Sequence, residues 1–357
     1  MPRSKTFEIS PELEAVLQEY TGDLQGPDAE LAREIVITAL KLGREQVSRL
    51  DRKIVEASLK EMRHAFRVFA PYKGIRKVTM FGSSRTELDD PAYVAARDFS
   101  RAVAARDWMV ITGAGPGIMA AGNEGAGEDM SFGVNIRLPF EAEPNPYIAK
   151  STKLINFKYF FTRKLTFMKE ADAFVLLPGG FGTMDEAFEL LTLVQTGKTN
   201  LCPIIMLDEP NGTYWQNLSD FIQAELVDRR YVAASDLNLF TITDDVKEAV
   251  SEIEGFYRAY HSQRMVGRNL ILRLNEEPDD DLLKQLSEEF SDILHKPLVK
   301  VGPTDQEVRD EDVPDLPRLS VGFDRQHTGR LRQLIDRLNQ SSRSTGPTAS
   351  RGDPRNV

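Results

Sequence analysis

The run Pro178-Gly-Gly-Phe-Gly-Thr-Met-Asp-Glu186 follows the apolar stretch Ala173-Phe-Val-Leu-Leu177 and leads into an amphipathic segment from Ala187 to Gln195. An apolar stretch of strand length that empties through glycines into a helix start belongs to α/β folds. There the glycines let the backbone approach an anion, free N–H groups at the helix N-terminus point at it, and the helix dipole favours its charge. Glu186 then stands three residues beyond Thr183, close to whatever the turn holds. The pattern predicts a phosphate-bearing ligand with an acid or base beside it.

Two further glycine turns follow apolar stretches: Gly82-Ser83-Ser84 after Lys77 to Phe81, and Gly113-Ala-Gly-Pro-Gly117 after Trp108-Met-Val-Ile-Thr112. Ser131 to Leu138 and Pro203 to Leu207 are also strand-like, and helical patterns over Pro91–Asp107, Ile118–Ala126 and Phe157–Glu170 fall between the strands. Strands alternating with helices predict an α/β fold, a doubly wound, Rossmann-like parallel sheet with ligands outside the carboxyl ends of its strands. Residues 1–70 carry apolar residues at helical spacing, a helical N-terminal extension. Residues 71–262 form the Rossmann-like domain, and 263–340 follow a β-α-β-β-α order, a small C-terminal α+β module with an exposed acidic loop at Asp305 to Pro317. Residues 341–357, rich in Ser, Gly, Pro, Arg and Thr, read as a disordered tail.

Composition narrows the function. A formal net charge of -10 argues against a nucleic-acid-binding surface, which needs clustered Lys and Arg. The single cysteine, Cys202, excludes an intramolecular disulfide and reads as a buried small hydrophobe. No apolar run approaches the roughly 18 residues of a membrane span, and Met1 to Phe7 has no apolar leader core; a cytoplasmic protein is expected. His64, His261, His295 and His327 are scattered, with no H-E-x-x-H and no cysteine partners, so no metal is expected. The fingerprint for NAD breaks at Pro116 and Ile118, no G-x-x-x-x-G-K-[ST] is present, and no G-x-S-x-G elbow appears.

Two readings of Glu186 compete. Thr183-x-x-Glu186 has the spacing of a capping box, in which both side chains satisfy backbone donors at a helix start. Against this stands Arg163-Lys164, placed on the helix ahead of the same strand, where cations could face the glycine loop.

Arg163-Lys164 followed by Pro178-Gly-Gly-Phe-Gly-Thr-Met-Asp-Glu186 resembles the Lonely Guy (LOG) family, whose signature is an Arg-Lys pair and P-G-G-x-G-T-x-x-E. The resemblance extends over Phe81-Gly-Ser-Ser84 and Gly113-Ala-Gly-Pro-Gly-Ile-Met119. Gly133 to Glu141 with Pro144-Asn-Pro-Tyr147 resembles a longer bacterial branch. The family, historically labelled lysine decarboxylases, contains phosphoribohydrolases that release the base of a nucleoside 5'-monophosphate and leave ribose 5-phosphate. The resemblance implies that Arg163 and Glu186 are the catalytic pair, with Lys164 beside them. It implies that Gly179, Gly180, Gly182 and Thr183 hold the 5'-phosphate, and that Gly82, Ser83, Gly115 and Phe160 line the nucleoside side. Many plant-type members carry methionine where this chain has Phe160. The resemblance also implies a homodimer or higher homo-oligomer with Phe188, Leu190, Leu191 and Leu193 at or near a two-fold contact, and an AMP-like substrate without cofactor. A non-catalytic nucleotide or phosphorylated-cofactor carrier is the competing expectation. A pyridoxal-dependent decarboxylase lacks an evident Schiff-base lysine.

Overall fold

The structure, a computed structural model, describes residues 10–22, 26–137, 143–267, 269–309 and 313–342. The chain divides into two compact units, residues 1–60 and 61–357. The first is helical: α1 (Pro11–Thr21), α2 (Gly26–Arg44) and the start of α3 (Arg49–Phe69). Leu17 and Ile37 are buried, and the guanidinium of Arg33 on α2 donates twice to Glu14 on α1, at 3.1 and 3.0 Å.

In the second unit, β1 (Lys77–Phe81), β2 (Met109–Thr112), β3 (Ser131–Ile136), β4 (Leu154–Phe157), β5 (Ala173–Leu176), β6 (Ile204–Leu207) and β7 (Thr241–Thr243) form one parallel sheet. Their order is β4-β3-β2-β1-β5-β6-β7. The connecting helices are α4 (Pro91–Ala104), α5 (Ile118–Ala126), α6 (Phe160–Glu170), α7 (Phe181–Gln195), α8 (Tyr214–Phe221) and α9 (Val246–Phe256). The chain builds outward from β1 to β4, returns through α6, and builds the other way from β5. The order therefore reverses between β1 and β5, and the crevice at their carboxyl ends is where such sheets bind ligands.

Local chemistry explains these elements. Strands β1, β2, β5 and β6 are buried at every position, as expected where helices cover both faces. Even Lys77 is enclosed, its ammonium donating to the carbonyls of Tyr72 and Ile75, each at 2.7 Å. Helix α4 starts on Pro91 with the Asp90 carboxylate accepting from the Ala92 N–H at 2.8 Å. Cys202 is buried, as its sequence setting predicts.

A second sheet, of order β10-β11-β9-β8, is antiparallel. It contains β8 (Tyr260–Val266), β9 (Asn269–Leu274), β10 (Val299–Val301) and β11 (Arg318–Val321), with helices α10 (Asp280–Glu289), α11 (Asp305–Arg309) and α12 (Thr328–Ser341). Leu272, Leu286, Phe290, Val321 and Leu334 continue the hydrophobic core of the first sheet.

Several expectations shift. Strands β4, β7 and β8 were not legible, and Phe157, expected to begin a helix, ends β4; α6 starts at Phe160. The acidic segment expected to be exposed contains Glu307, which is fully buried between Arg273 and Arg318. The expected disordered tail lies, from residue 343 on, outside the described residues. No helix among the described residues is long and apolar enough to cross a membrane.

Candidate active site

The three glycine turns interlock at the switch point. The Ser83 N–H, after β1, donates to the Pro178 carbonyl, after β5, at 3.1 Å; the Ser83 carbonyl accepts from the Ile118 N–H at the start of α5 at 2.9 Å. Contact this close requires glycine. A Cβ on Gly117, whose φ is +64°, would lie 2.3 Å from the Ser83 carbonyl oxygen, and one on Gly179 would lie 2.2 Å from the Thr183 hydroxyl and 2.9 Å from the Ser83 nitrogen. Gly82 and Gly115 lie against side chains instead: a Cβ would sit 2.6 Å from Ile118 and 2.6 Å from the flexible end of Met119, respectively. The phenol of Tyr214, on α8, donates to the Gly179 carbonyl at 2.6 Å, a support the sequence did not disclose.

Gly180 and Gly182 differ: a Cβ there would meet nothing within 4 Å, so the space over the loop is open. Gly180 is the N-cap of α7, and the first intrahelical bond runs from the Met184 N–H to the Gly180 carbonyl at 3.1 Å. The N–H groups of Phe181, Gly182 and Thr183 precede that bond and are the donors an anion can take up. An open cavity of about 510 Å³ borders the loop, lined by Ser83, Gly179, Asp208, Glu209 and Tyr214 among others.

This geometry removes the capping-box reading of Glu186. With Gly180 as N-cap, Thr183 is the third helical residue and Glu186 lies a turn further in; no side chain caps this end. Glu186 is instead a buried carboxylate whose Oε2 has no hydrogen-bond partner among the described residues. Burial pushes its pKa up to about 7, against the opposing pull of Lys164 and Arg163; Glu189 and Asp185 add to the rise. A carboxyl half-ionised near neutrality and unspent on structure is what general acid–base chemistry needs.

Arg163 and Lys164 fall in the first turns of α6 and take different places. The Nε of Arg163 donates to the Val134 carbonyl on β3 at 2.9 Å, its guanidinium lies over the Phe167 ring at 5.2 Å, and Gly113 faces it so closely that a Cβ would sit 2.5 Å from its terminal nitrogen. Lys164 reaches α7, where its ammonium meets Asp185 at 2.8 Å and Glu189 at 2.5 Å. Burial would lower its pKa, but these two carboxylates raise it. Phe160, the first residue of α6, is exposed.

Arg163 thus meets the turn of Gly113 to Gly117 at Gly113, that turn meets Ser83 at Gly117, and Ser83 meets Gly179, which packs on Thr183. Sequence reasoning missed Glu61 on α3. Its carboxylate accepts from the Lys158 N–H at 2.9 Å and the Thr162 hydroxyl at 2.7 Å, and so fixes the start of the helix that carries Arg163. Nothing in its charged, helical surroundings marks it. No cluster of three or more metal-ligand side chains occurs among the described residues.

Fold and site together define a Rossmann-like α/β protein whose glycine turns gather at the switch point of its sheet. A family model described as "Possible lysine decarboxylase" matches residues 116–253. The chain is 30% identical over 159 residues to a cytokinin riboside 5'-monophosphate phosphoribohydrolase of Mycobacterium tuberculosis, covering 43% of this chain and 81% of that protein. It is 34% identical over 91 residues to the probable cytokinin riboside 5'-monophosphate phosphoribohydrolase LOG4 of Oryza sativa subsp. japonica, covering 26% of this chain and 38% of that protein. Among solved structures, the Moco carrier protein from Chlamydomonas reinhardtii aligns with a TM-score of 0.34 and 18% identity, over 50% of this chain and 94% of that one. The chain belongs to the LOG family.

Proposed function

We propose that this protein hydrolyses the N-glycosidic bond of a nucleoside 5'-monophosphate, AMP or a related purine nucleotide such as a cytokinin riboside 5'-monophosphate, to free base and ribose 5-phosphate. The observation that carries this reading is Glu186: buried, unpartnered at Oε2, raised to about 7, and one helical turn beyond an open glycine loop. The 5'-phosphate takes the N–H groups of Phe181, Gly182 and Thr183, which holds the ribose over the crevice. Cleavage passes through an oxocarbenium-like state, which the Glu186 carboxylate stabilises while orienting the attacking water. Arg163 keeps positive charge beside that carboxylate and faces the ligand across Gly113.

A carrier would use the same loop. It would have no use for a buried carboxylate with a free oxygen at the loop, since such a group costs stability without a binding partner. Assay of free base released from a panel of nucleoside monophosphates tests the choice; ligand binding without turnover of any of them supports the carrier.

The same reading includes a cytoplasmic, cofactor-free homodimer in which residues 71–262 perform the chemistry, while 263–340, whose core runs on into that of the first sheet, take no part in it. Exposed apolar side chains on α6 and α7 support self-association: Phe160, Phe161, Leu165, Phe188 and Phe181, the last 97% exposed. They replace part of the surface expected from sequence. Leu190 is fully buried within the chain, and Leu191 and Leu193 pack against its core, which leaves Phe188 as the outward member of that set.

A further inference from the structure

Asn145, between β3 and β4, is buried and spends its whole amide on the turn after β2 and its neighbours. Its backbone N–H donates to the Ala114 carbonyl at 2.8 Å, and its Nδ2 donates to the Gly115 carbonyl and to Asn123 Oδ1, each at 3.0 Å. Its Oδ1 accepts from the Tyr147 N–H at 3.2 Å. Asn123 Oδ1, on α5, also accepts from the Thr112 hydroxyl at 2.8 Å, and that hydroxyl oxygen accepts from the Ala114 N–H at 3.0 Å. Thr112, Asn123 and Asn145 thereby close a buried polar ring around Ala114 and Gly115.

The turn needs such a restraint. Ala114 has φ +61°, a left-handed conformation that an alanine adopts only where its surroundings impose it. The residue before it, Gly113, is the one that abuts the Arg163 guanidinium. If the turn relaxed towards an ordinary conformation, the wall against which Arg163 rests would move with it.

We propose that Asn145 is a positioning residue for the candidate reaction, clasping the Ala114–Gly115 turn and through Gly113 fixing the place of Arg163. The inference rests on the reading of Arg163 as a substrate-facing group. Asn145 binds Ala114, next to the Gly113 that abuts Arg163, but reaches Gly179 only by way of Gly117 and Ser83, so loosening it disturbs the reacting end of the ligand more than the phosphate end.

The test compares wild type with Asn145→Ala in base release from AMP, and compares their crystal structures. The expected result is a kcat lowered on the order of 100-fold, the scale of a small misplacement of reacting groups, with KM changed far less. In the variant's crystal structure Ala114 should leave φ +61° and the bond from Arg163 Nε to the Val134 carbonyl should lengthen or break. If Asn145→Ala fails to fold, Thr112→Val removes the hydroxyl at the other side of the ring with little change of shape and should give the same pattern, weaker. A folded variant with wild-type kcat, or one in which Ala114 and Arg163 keep their places, overturns the proposal. Wild-type inactivity on every monophosphate would defeat the functional reading instead, and the crystallographic comparison would still decide the clasp.

Discussion

The Ser83 N–H donates to the Pro178 carbonyl at 3.1 Å, tying the turn after β1 to the turn after β5 across the point where the strand order reverses. The two turns behave as one wall, and Gly179 is the position where that wall has no room to give. In Gly179→Ala the new Cβ would meet the Thr183 hydroxyl and the Ser83 nitrogen. The expected cost is on the order of 1–3 kcal/mol, read by urea unfolding, together with loss of AMP binding by calorimetry. Gly182→Ala, with open space at its Cβ, should keep its stability.

The pH dependence of turnover follows from Glu186. Burial raises its pKa to about 7 in spite of Lys164 and Arg163, so the carboxylate that orients water is half-formed near neutrality. The kcat/KM for AMP should rise with pH, reach half its plateau near 7, and stay flat above. Arg163→Lys or Lys164→Met weakens or moves a cation that holds the carboxyl down, and the midpoint should move up where activity survives. A midpoint near the ordinary carboxylate value in wild type contradicts the assignment.

The same group makes a stability prediction. Its folded pKa lies above the ordinary 4.5, so the folded chain binds the proton more tightly, and wild-type stability falls as pH rises from 4.5 towards about 7. Glu186→Gln carries no charge to bury. Its melting temperature should match wild type in acid and exceed it at alkaline pH, by a free energy of at most about 3 kcal/mol. A constant difference across that window would mean the carboxyl is not perturbed.

Much of the fold is legible in the sequence. The strands at Lys77, Met109, Ser131, Ala173 and Ile204 announce themselves because a sheet covered on both faces needs unbroken apolar runs, and the glycine turns announce themselves because only glycine permits such approach. The edge strands did not. Leu154-Ile-Asn-Phe157 and Thr241-Ile-Thr243 are short and half-covered, and their pairing with β3 and β6 is decided by tertiary contact. At the site, motif spacing placed Thr183 and Glu186 but could not say where the helix begins; Gly180 as N-cap decides against a capping role. Asn123 and Glu61 were invisible, and Asn145 was legible only as part of Pro144-Asn-Pro-Tyr147 and not by its role, because their hydrogen bonds join segments distant in sequence.

The buried cluster at the second sheet gives a prediction away from the site. Glu307 accepts from Arg273 at 2.8 Å and 3.2 Å and from Arg318 at 3.4 Å. Burial pushes its pKa up, but the Thr304 N–H and the two guanidinium groups more than reverse this and hold it at about 2. Its contribution is present above 4.5 and is lost as pH falls towards 2. Glu307→Gln should lose on the order of 3–5 kcal/mol at neutral pH, with the deficit to wild type shrinking in acid, as followed by urea unfolding.

Self-association is read most simply by light scattering. With Phe181 and Phe188 exposed on α7 and Phe160 and Leu165 exposed on α6, a dimer is expected at micromolar concentration, and Phe181→Asp with Phe188→Asp should return monomers. Monomers alone in the wild type would contradict the dimer.

The central claim is that the glycine loop holds a 5'-phosphate so that Glu186 can cleave the glycosidic bond. Chromatographic assay of free adenine from AMP and from adenosine, with wild type and Glu186→Gln side by side, tests it most directly. The account predicts adenine from AMP, little from adenosine, and none from either with Glu186→Gln, although that variant still binds AMP. Equal release from AMP and adenosine, or near-normal release by Glu186→Gln, would contradict it.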